Sequence, residues 1–186
     1  FDRRASLMKI FFVRHGHPDY TEPKALGYPG FGNDLAPLDA LGRSQAEQTA
    51  RDPRLKQGQL IVASPFTRAL QTAAVLSRRL DLELRVEVGL HEWLPDLTYL
   101  YTDVETVERA RAEFDAMNGV AGPERKQRWE TWEQMRTRAE RALARYAGYD
   151  CLIVVCHGLL MQAFGAEKTI SNGGIFEAEW SPACRD

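Results

Sequence analysis

Two short apolar segments of this 186-residue chain each end in a histidine followed by a glycine. The first reads KIFFVRHG (Lys9–Gly16) and the second reads DCLIVVCHG (Asp150–Gly158). Such runs predict buried β-strands, and we expect each glycine to let the backbone turn. Ligands of α/β sheets bind beyond the carboxyl ends of the strands. If the two strands are parallel neighbours, His15 and His157 therefore reach one crevice beside Arg14, a site for an anion such as a phosphoryl group.

Strand-like and helix-like segments alternate along the chain. Strands are predicted at Lys9–Val13, Leu60–Ala63, Leu82–Val88, Asp150–Val155 and Phe176–Trp180. Helices are predicted at Asp39–Ala50, from Ser64-Pro65 to about Leu80, twice within Thr102–Ala147, and at Gly158–Phe164. This order predicts an α/β three-layer sandwich with a mostly parallel central sheet, helices on both faces, and a helical insert between Glu92 and Asp150 (about 93–149).

Local residue patterns add detail to this prediction. Proline and glycine recur in His17–Pro37, which predicts a loop. Asp39 is predicted to cap the helix that follows, and Ser64 to cap the next one with Pro65 at its first position. The very apolar segment Asp150–Val155 is predicted to be the central strand, and the last strand an edge strand.

Length and composition indicate one globular domain, residues 8–186, and we expect residues 1–7 to be a non-native or disordered leader. The net charge of -2 argues against nucleic-acid or anionic-membrane binding. No segment is long and apolar enough to span a bilayer. The three cysteines, Cys151, Cys156 and Cys184, lack a disulfide framework and predict reduced thiols in the cytoplasm. We expect a small phosphorylated substrate as partner and leave a homodimer open.

Four side chains are candidates for phosphoryl chemistry. His15 could attack phosphorus as a neutral nucleophile, while Arg14 could bind the phosphoryl oxygens. Arg68 falls in the first turn of a helix, where the free N–H groups favour an anion. His157, as a cation, could stabilise the transition state. Each also has a plainer interpretation: a strand-end histidine bonded to a loop, a surface ion pair, or a buried structural histidine.

Glu92, after the third predicted strand, is the candidate general acid and base, with Asp96 as a weaker alternative. On its own, a loop glutamate is more often simply solvated. We place His17 with the substrate-binding residues, although it could equally shape its loop, and expect His91 to face away from the site. No residue set suits a metal ion, and no cofactor is expected.

These motifs together resemble the histidine phosphatase superfamily, also called the phosphoglycerate mutase-like family. The resemblance extends from Met8 to about Trp180. It is carried, in order, by Arg14-His15-Gly16, Leu38–Ala46, Ser64-Pro65 with Arg68 and Gln71-Thr72-Ala73, Leu90-His91-Glu92, and His157-Gly158. The resemblance implies a metal-independent phosphatase in which His15 forms a phosphohistidine and Glu92 is the proton donor. It also implies that Arg14, Arg68, His157 and Gly158 line the phosphate pocket.

The chain departs from the pattern of cofactor-dependent mutases. His17 and Thr21 stand where those enzymes carry Glu or Gln and, further on, Asn, and Trp93-Leu94-Pro95 replaces Glu-Arg-x-Tyr-Gly after the acid. A phosphatase is therefore favoured over a mutase. A non-catalytic phospholigand-binding module is the third alternative, because the residues around Glu92 are unusual.

The predicted insert contains several aromatic and basic residues. We expect the aromatic residues to pack the insert against the sheet rather than form a lid: Tyr99, Tyr101, Phe114, Trp129 and Trp132. We expect the basic residues to form a solvated helix face balanced by Glu130, Glu133 and Glu140: Arg125, Lys126, Arg128, Arg136, Arg138 and Arg141.

Overall fold

The computed structural model describes residues 7–181 except 29, 125 and 169. Its sheet has five strands in the order β3-β2-β4-β1-β5. The strands are β1 (Met8–Arg14), β2 (Leu60–Ala63), β3 (Leu84–Val86), β4 (Cys151–Cys156) and β5 (Ile175–Trp180). The helices are α1 (Thr21–Ala25), α2 (Ala40–Thr49), α3 (Thr67–Leu80), α4 (Val104–Ala116), α5 (Trp132–Leu143) and α6 (Gly158–Ala163). The predicted mixed α/β fold is confirmed.

Strand β4 lies at the centre of the sheet, and both strands that end in a histidine are parallel neighbours. β1 pairs with β4 in a register that places Val13 opposite Val155 and Arg14 opposite Cys156. Because β1 and β4 end at the same level, the residues that follow them emerge side by side at one edge of the sheet. β5 is antiparallel to β1 at the sheet edge, as predicted.

Both faces of the sheet are covered. Phe12 and Val154 point into a core shared with α5 and α6, whereas Phe11 and Ile153 point into a second core shared with α3. This alternation is the period-two pattern of a strand buried on both sides. Phe114 of α4 packs its ring edge-on against Trp129 and Trp132. These three side chains pack in the core that also contains Phe12 and Val154 of the sheet, as expected for aromatic residues of the insert.

The structure differs from the predicted elements at three places. The segment predicted as a loop contains the single-turn helix α1 and a 3₁₀ helix, Gly30–Leu35. The third strand is shorter than predicted and is followed by a 3₁₀ helix, Val88–Leu90. Helix α3 begins at Thr67 with Phe66 as its N-cap, so the prediction that Ser64 caps it was wrong. The Ser64 hydroxyl accepts from the backbone N–H of Phe66 over 3.3 Å and is also bonded to a histidine ring described below.

The capping prediction for α2 is confirmed, because the Asp39 carboxylate accepts a hydrogen bond from the backbone N–H of Gly42. Cys151 and Cys156 are free thiols in the two opposite cores. No helix within the described parts of the chain is long and apolar enough to cross a bilayer. Residues 1–6 of the expected leader, Cys184 and Arg125 lie outside the described residues.

Candidate active site

The His15 ring lies just beyond β1 and is held in one tautomer by its two hydrogen bonds. Its Nδ1 lies 2.7 Å from the carbonyl oxygen of Gly16. A carbonyl can only accept, so Nδ1 carries the proton and Nε2 carries the lone pair. The Arg68 Nε–H donates to this Nε2 over 3.2 Å, which agrees with the assignment. The ring therefore presents an unprotonated nitrogen beside a guanidinium.

Burial keeps this ring neutral. His15 is 6% exposed. Burial, and next the positive charge of Arg68, lower the pKa of His15 from its ordinary value of 6.5 to about 3. At neutral pH the ring is therefore an uncharged base whose lone pair is available for bonding.

Close backbone packing fixes the loop that carries His15. A Cβ on Gly16 would lie 2.3 Å from the carbonyl oxygen of Gly42 at the start of α2. The glycine is needed for this close approach and not for its φ, which is not positive. The Gly16 N–H donates to the Thr72 hydroxyl, and the Asn172 side chain donates to the His15 carbonyl over 2.9 Å. Sequence reasoning did not assign these two supports.

Arg68 projects from the first turn of α3 into the same site. Its side chain is almost fully buried, and its guanidinium lies 5.2 Å from the centre of the Phe66 ring. Nη1 donates to the Asp34 carboxylate over 3.0 Å. Burial raises the pKa of Asp34, although the adjacent Arg68 opposes that shift. Asp34 was missed in the sequence because it falls in a segment predicted as an ordinary loop.

The His157 ring lies beside His15, with ring centres 5.2 Å apart. Its Nε2 is 2.7 Å from the Ser64 hydroxyl. Nδ1 is buried without a hydrogen-bond partner among the described residues. Burial, and then Arg68, lower the pKa of His157 well below its ordinary value. The ring is thus neutral in this structure rather than the cation that we expected.

Arg14 completes the cluster from the end of β1. Its Nη1 donates to the Ile170 carbonyl over 2.5 Å, and its buried Nε has no partner among the described residues. A Cβ on Gly158 would lie 3.4 Å from this Nε, an ordinary contact distance, so the guanidinium packs directly against the start of α6. Two buried polar atoms, Arg14 Nε and His157 Nδ1, are therefore available to an anion near His15.

Glu92 borders this cluster. Its carboxylate accepts hydrogen bonds from the backbone N–H groups of Trp93 (2.9 Å) and Leu159 (3.4 Å). It lines two cavities: one of about 260 Å³ that also contains Arg14, and one of about 360 Å³ that also contains Asp34. Asp96 lines neither cavity, because its carboxylate is bonded to Thr98. The geometry therefore favours Glu92 over the weaker alternative.

Comparison with known proteins shows the family of this chain. The family model of the histidine phosphatase superfamily (branch 1) matches residues 10–175. The chain belongs to the histidine phosphatase superfamily.

Individual relatives of this superfamily match the chain less completely. Over 84 residues the chain is 36% identical to a glucosyl-3-phosphoglycerate phosphatase of Mycobacterium tuberculosis, a match that covers 45% of this chain and 36% of that protein. The chain thus spans well under half the length of such curated relatives in these matches. It is 25% identical over 164 residues to the Enterobacter protein "Probable phosphoglycerate mutase GpmB", covering 83% of this chain and 72% of that protein. The structure of a mycobacterial glucosyl-3-phosphoglycerate phosphatase shares the fold, with a TM-score of 0.65, 22% identity, and coverage of 91% and 89% of the two chains.

Two further histidines of this superfamily member have other partners. The His17 ring is half-exposed, and its Nδ1 lies 2.7 Å from the Asp39 carboxylate, beside the cap of α2. The contact favours the loop-shaping role over substrate binding. The buried His91 ring stacks on Phe66 at 6.2 Å between centres, and Phe66 in turn contacts His157. His91 thus supports the pocket from behind Phe66, in agreement with its expected orientation.

Arg138 of α5 overturns one prediction. We expected it on a solvated helix face, but its side chain is only 17% exposed and is paired with Glu130, which is 3% exposed. Its guanidinium also donates to the backbone carbonyls of residues 89, 91 and 92. Arg136, two residues earlier, is half-exposed and pairs with Glu140 as predicted. Among the described residues, no cluster of three or more His, Cys, Asp or Glu could hold a metal ion.

Proposed function

We propose that this superfamily member is a metal-independent phosphatase that hydrolyses a small phosphate monoester through a phosphohistidine on His15. The observation that carries the proposal is the fixed tautomer of His15, whose Nε2 lone pair lies 3.2 Å from Arg68 Nε. A phosphoryl group needs such a lone pair for attack and positive groups for its oxygens. The positive groups are supplied by Arg14, Arg68 and His157.

In the first half-reaction His15 Nε2 attacks phosphorus while the bond from phosphorus to the ester oxygen breaks. The Glu92 carboxyl transfers its proton to the departing alkoxide, which leaves as an alcohol. The imidazole gains positive charge as the N–P bond forms. The Nδ1–H bond to the Gly16 carbonyl then becomes charge-assisted and stabilises the phosphorylated ring.

In the second half-reaction water attacks phosphorus and the N–P bond breaks, returning the electron pair to His15 Nε2. The Glu92 carboxylate accepts the proton of this water and returns to its starting state. The buried Arg14 Nε and His157 Nδ1 are suited to donate to the phosphoryl oxygens in both steps. His157 takes up a proton when a dianion offsets the cost of burying its charge.

The leaving group would occupy the cavity of about 360 Å³ beside Glu92. This cavity is lined in part by Tyr20, Trp93, Pro95 and Tyr101, surfaces that suit the apolar part of a small alcohol. We also propose a cytoplasmic location, supported by the free buried thiols of Cys151 and Cys156. Assembly as a homodimer remains a prediction.

The test is hydrolysis of a panel of phosphate monoesters in the presence of a chelator. We expect turnover by the wild type, an acid-labile phosphoprotein trapped during turnover, and neither in His15→Ala. Glu92→Gln should be slowed by about 10²-fold or more, whereas Glu133→Gln, an exposed change on α5, should retain full activity. Unchanged turnover in His15→Ala would refute the nucleophile assignment.

The same panel separates the alternatives. The observation that supports a mutase as the alternative is the similarity to the Enterobacter protein over most of this chain. A mutase would transfer phosphate within a phosphorylated acid and would depend on a bisphosphorylated primer. A binding module would bind vanadate or phosphate and hydrolyse no ester. Either result would replace the phosphatase proposal.

A further inference from the structure

Arg138 uses every N–H group of its guanidinium within the body of the protein. Nε and Nη2 donate to the two carboxylate oxygens of Glu130 over 2.6 and 2.9 Å. Nη1 donates to the carbonyls of Gly89 (2.7 Å) and His91 (2.8 Å), and Nη2 also donates to the carbonyl of Glu92 (3.1 Å). Five donors therefore meet five acceptors, three of which belong to the four-residue segment that ends at Glu92.

Glu130 holds the chain on the other side of Glu92. Its carboxylate accepts from the backbone N–H of Leu94 over 3.3 Å. Its backbone N–H donates to the Leu94 carbonyl (2.9 Å), and its carbonyl accepts from the Trp93 indole (2.7 Å). The ion pair and the Glu130 backbone thus bond to residues immediately before and after Glu92, in addition to the Glu92 carbonyl.

Stability alone does not account for this arrangement. Burying two charges costs several kcal/mol each, and a well-packed apolar pair would often stabilise a fold as well or better. What an apolar pair cannot do is fix three carbonyl groups, because that requires a planar set of donors at defined angles. The function that this pair can provide, and apolar packing cannot, is therefore the geometry of the segment around Glu92.

We infer that Arg138 and Glu130 are positioning residues that hold the Glu92 carboxylate at the distance from which it protonates the leaving group. The inference rests on the proposed function of Glu92. Neither residue lines the two cavities that Glu92 borders, so both act through the backbone rather than on substrate. A displacement of about 1 Å in a catalytic group can cost about 10²-fold in rate.

Leaving-group dependence separates positioning from general structural support. p-Nitrophenol departs from phosphate without help from an acid, whereas benzyl alcohol needs a proton. Loss of a correctly placed acid should therefore lower kcat/KM for benzyl phosphate and hardly affect kcat/KM for p-nitrophenyl phosphate, because kcat/KM reports the first half-reaction and excludes the later water attack. A damaged phosphate pocket would slow both substrates alike.

The experiment measures kcat/KM for both substrates in the wild type, Glu92→Gln, Arg138→Lys, Glu130→Gln and Arg138→Lys combined with Glu92→Gln. Lys has the charge of Arg but cannot make the planar set of bonds. We expect Arg138→Lys to lose about 10²-fold in kcat/KM on benzyl phosphate and less than about threefold in kcat/KM on p-nitrophenyl phosphate. The double variant should be no slower on benzyl phosphate than Glu92→Gln alone.

Two variants complete the design. Arg136→Lys alters an exposed ion pair on the same helix and should leave both rates unchanged. In Glu130→Gln, the new amide N–H faces one of the Arg138 N–H groups that donate to the Glu130 carboxylate. The bonds from Arg138 to the backbone carbonyls stay in place. It should show a smaller selective loss, about tenfold, and it carries the test if Arg138→Lys does not fold.

Equal losses on the two substrates, or additive losses in the double variant, would overturn the positioning role while leaving the phosphatase proposal intact. Full activity of the folded Glu130→Gln and Arg138→Lys variants would do the same. If Glu92→Gln itself shows no leaving-group dependence, Glu92 is not the acid, and the proposed mechanism fails rather than the geometry of the ion pair.

Discussion

The buried, neutral His15 ring makes a quantitative prediction about stability in acid. The pKa of this ring falls from 6.5 to about 3 on folding, because burial and Arg68 disfavour the protonated form. Below pH 6.5 the unfolded chain therefore binds a proton that the native ring does not. Stability that is fully present above that pH is lost as the pH falls towards 3. The change that removes this effect is His15→Gln.

The magnitude follows from the two pKa values. Between pH 7 and pH 5 the ring should cost the native state about 2 kcal/mol, and the full difference down to about pH 3 corresponds to about 5 kcal/mol. The value of about 2 kcal/mol depends almost entirely on the pKa of the ring in the unfolded chain, since pH 5 lies well above its pKa in the native protein. His157 also resists protonation in the native state, but it is present in both proteins.

The assay is urea-induced unfolding of the wild type and His15→Gln at pH 7 and pH 5, at equal ionic strength. We expect the variant to lose about 2 kcal/mol less than the wild type on acidification. A titration of the His15 ring by NMR in the native protein should show no protonation down to pH 5. Parallel losses of stability, or a ring that titrates near pH 6.5, would refute the conclusion that the His15 ring is neutral because it is buried.

Two further predictions concern the site and its surroundings. In Gly42→Ala the new Cβ would lie 2.2 Å from the His17 carbonyl oxygen, so we expect a loss of about 1–3 kcal/mol in thermal or urea unfolding with reduced activity. Gly148→Ala, where nothing lies within 4 Å of the new Cβ, should keep both its stability and its activity. Equal changes in stability and activity in the two variants would contradict the packing argument. Tyr101 lines the proposed leaving-group cavity. Tyr101→Ala should raise KM for aromatic monoesters about tenfold and leave the inhibition constant of inorganic phosphate unchanged. A matching rise in that inhibition constant would place Tyr101 at the phosphate instead.

The central geometry of the sheet could be predicted from the sequence because it depends on local patterns. The runs Lys9–Val13 and Asp150–Val155 are short, apolar and rich in β-branched residues, which predicts strands buried on both faces. Such strands are interior and parallel in an α/β sheet, which places the residues after them at one edge. The convergence of His15 and His157 depends on one further condition, that the two strands are neighbours, and the pairing of β1 with β4 meets it.

The helix start at Ser64 shows where local rules fail. Ser followed by Pro is a good beginning for a helix in isolation. Here the Ser64 hydroxyl is bonded to His157, 93 residues away in the sequence. The same hydroxyl accepts from the Phe66 N–H, although the helix begins only at Thr67, and this competition between local and tertiary preference falls at the candidate active site. Sites that serve a ligand are where such conflicts are expected.

Arg138 had no sequence signal that could separate it from its neighbours. Both Arg136 and Arg138 lie in a charged helix with glutamates at helical spacing, and Arg136 does form the expected pair with Glu140. The partner of Arg138, Glu130, precedes the N-cap Thr131 and so lies outside the helix, where helical spacing does not apply. The other acceptors are backbone carbonyls 46 to 49 residues away, and carbonyls are present at every position. Side-chain motifs therefore identify groups that can act on a substrate, whereas groups that act through the backbone emerge only when the chain is folded.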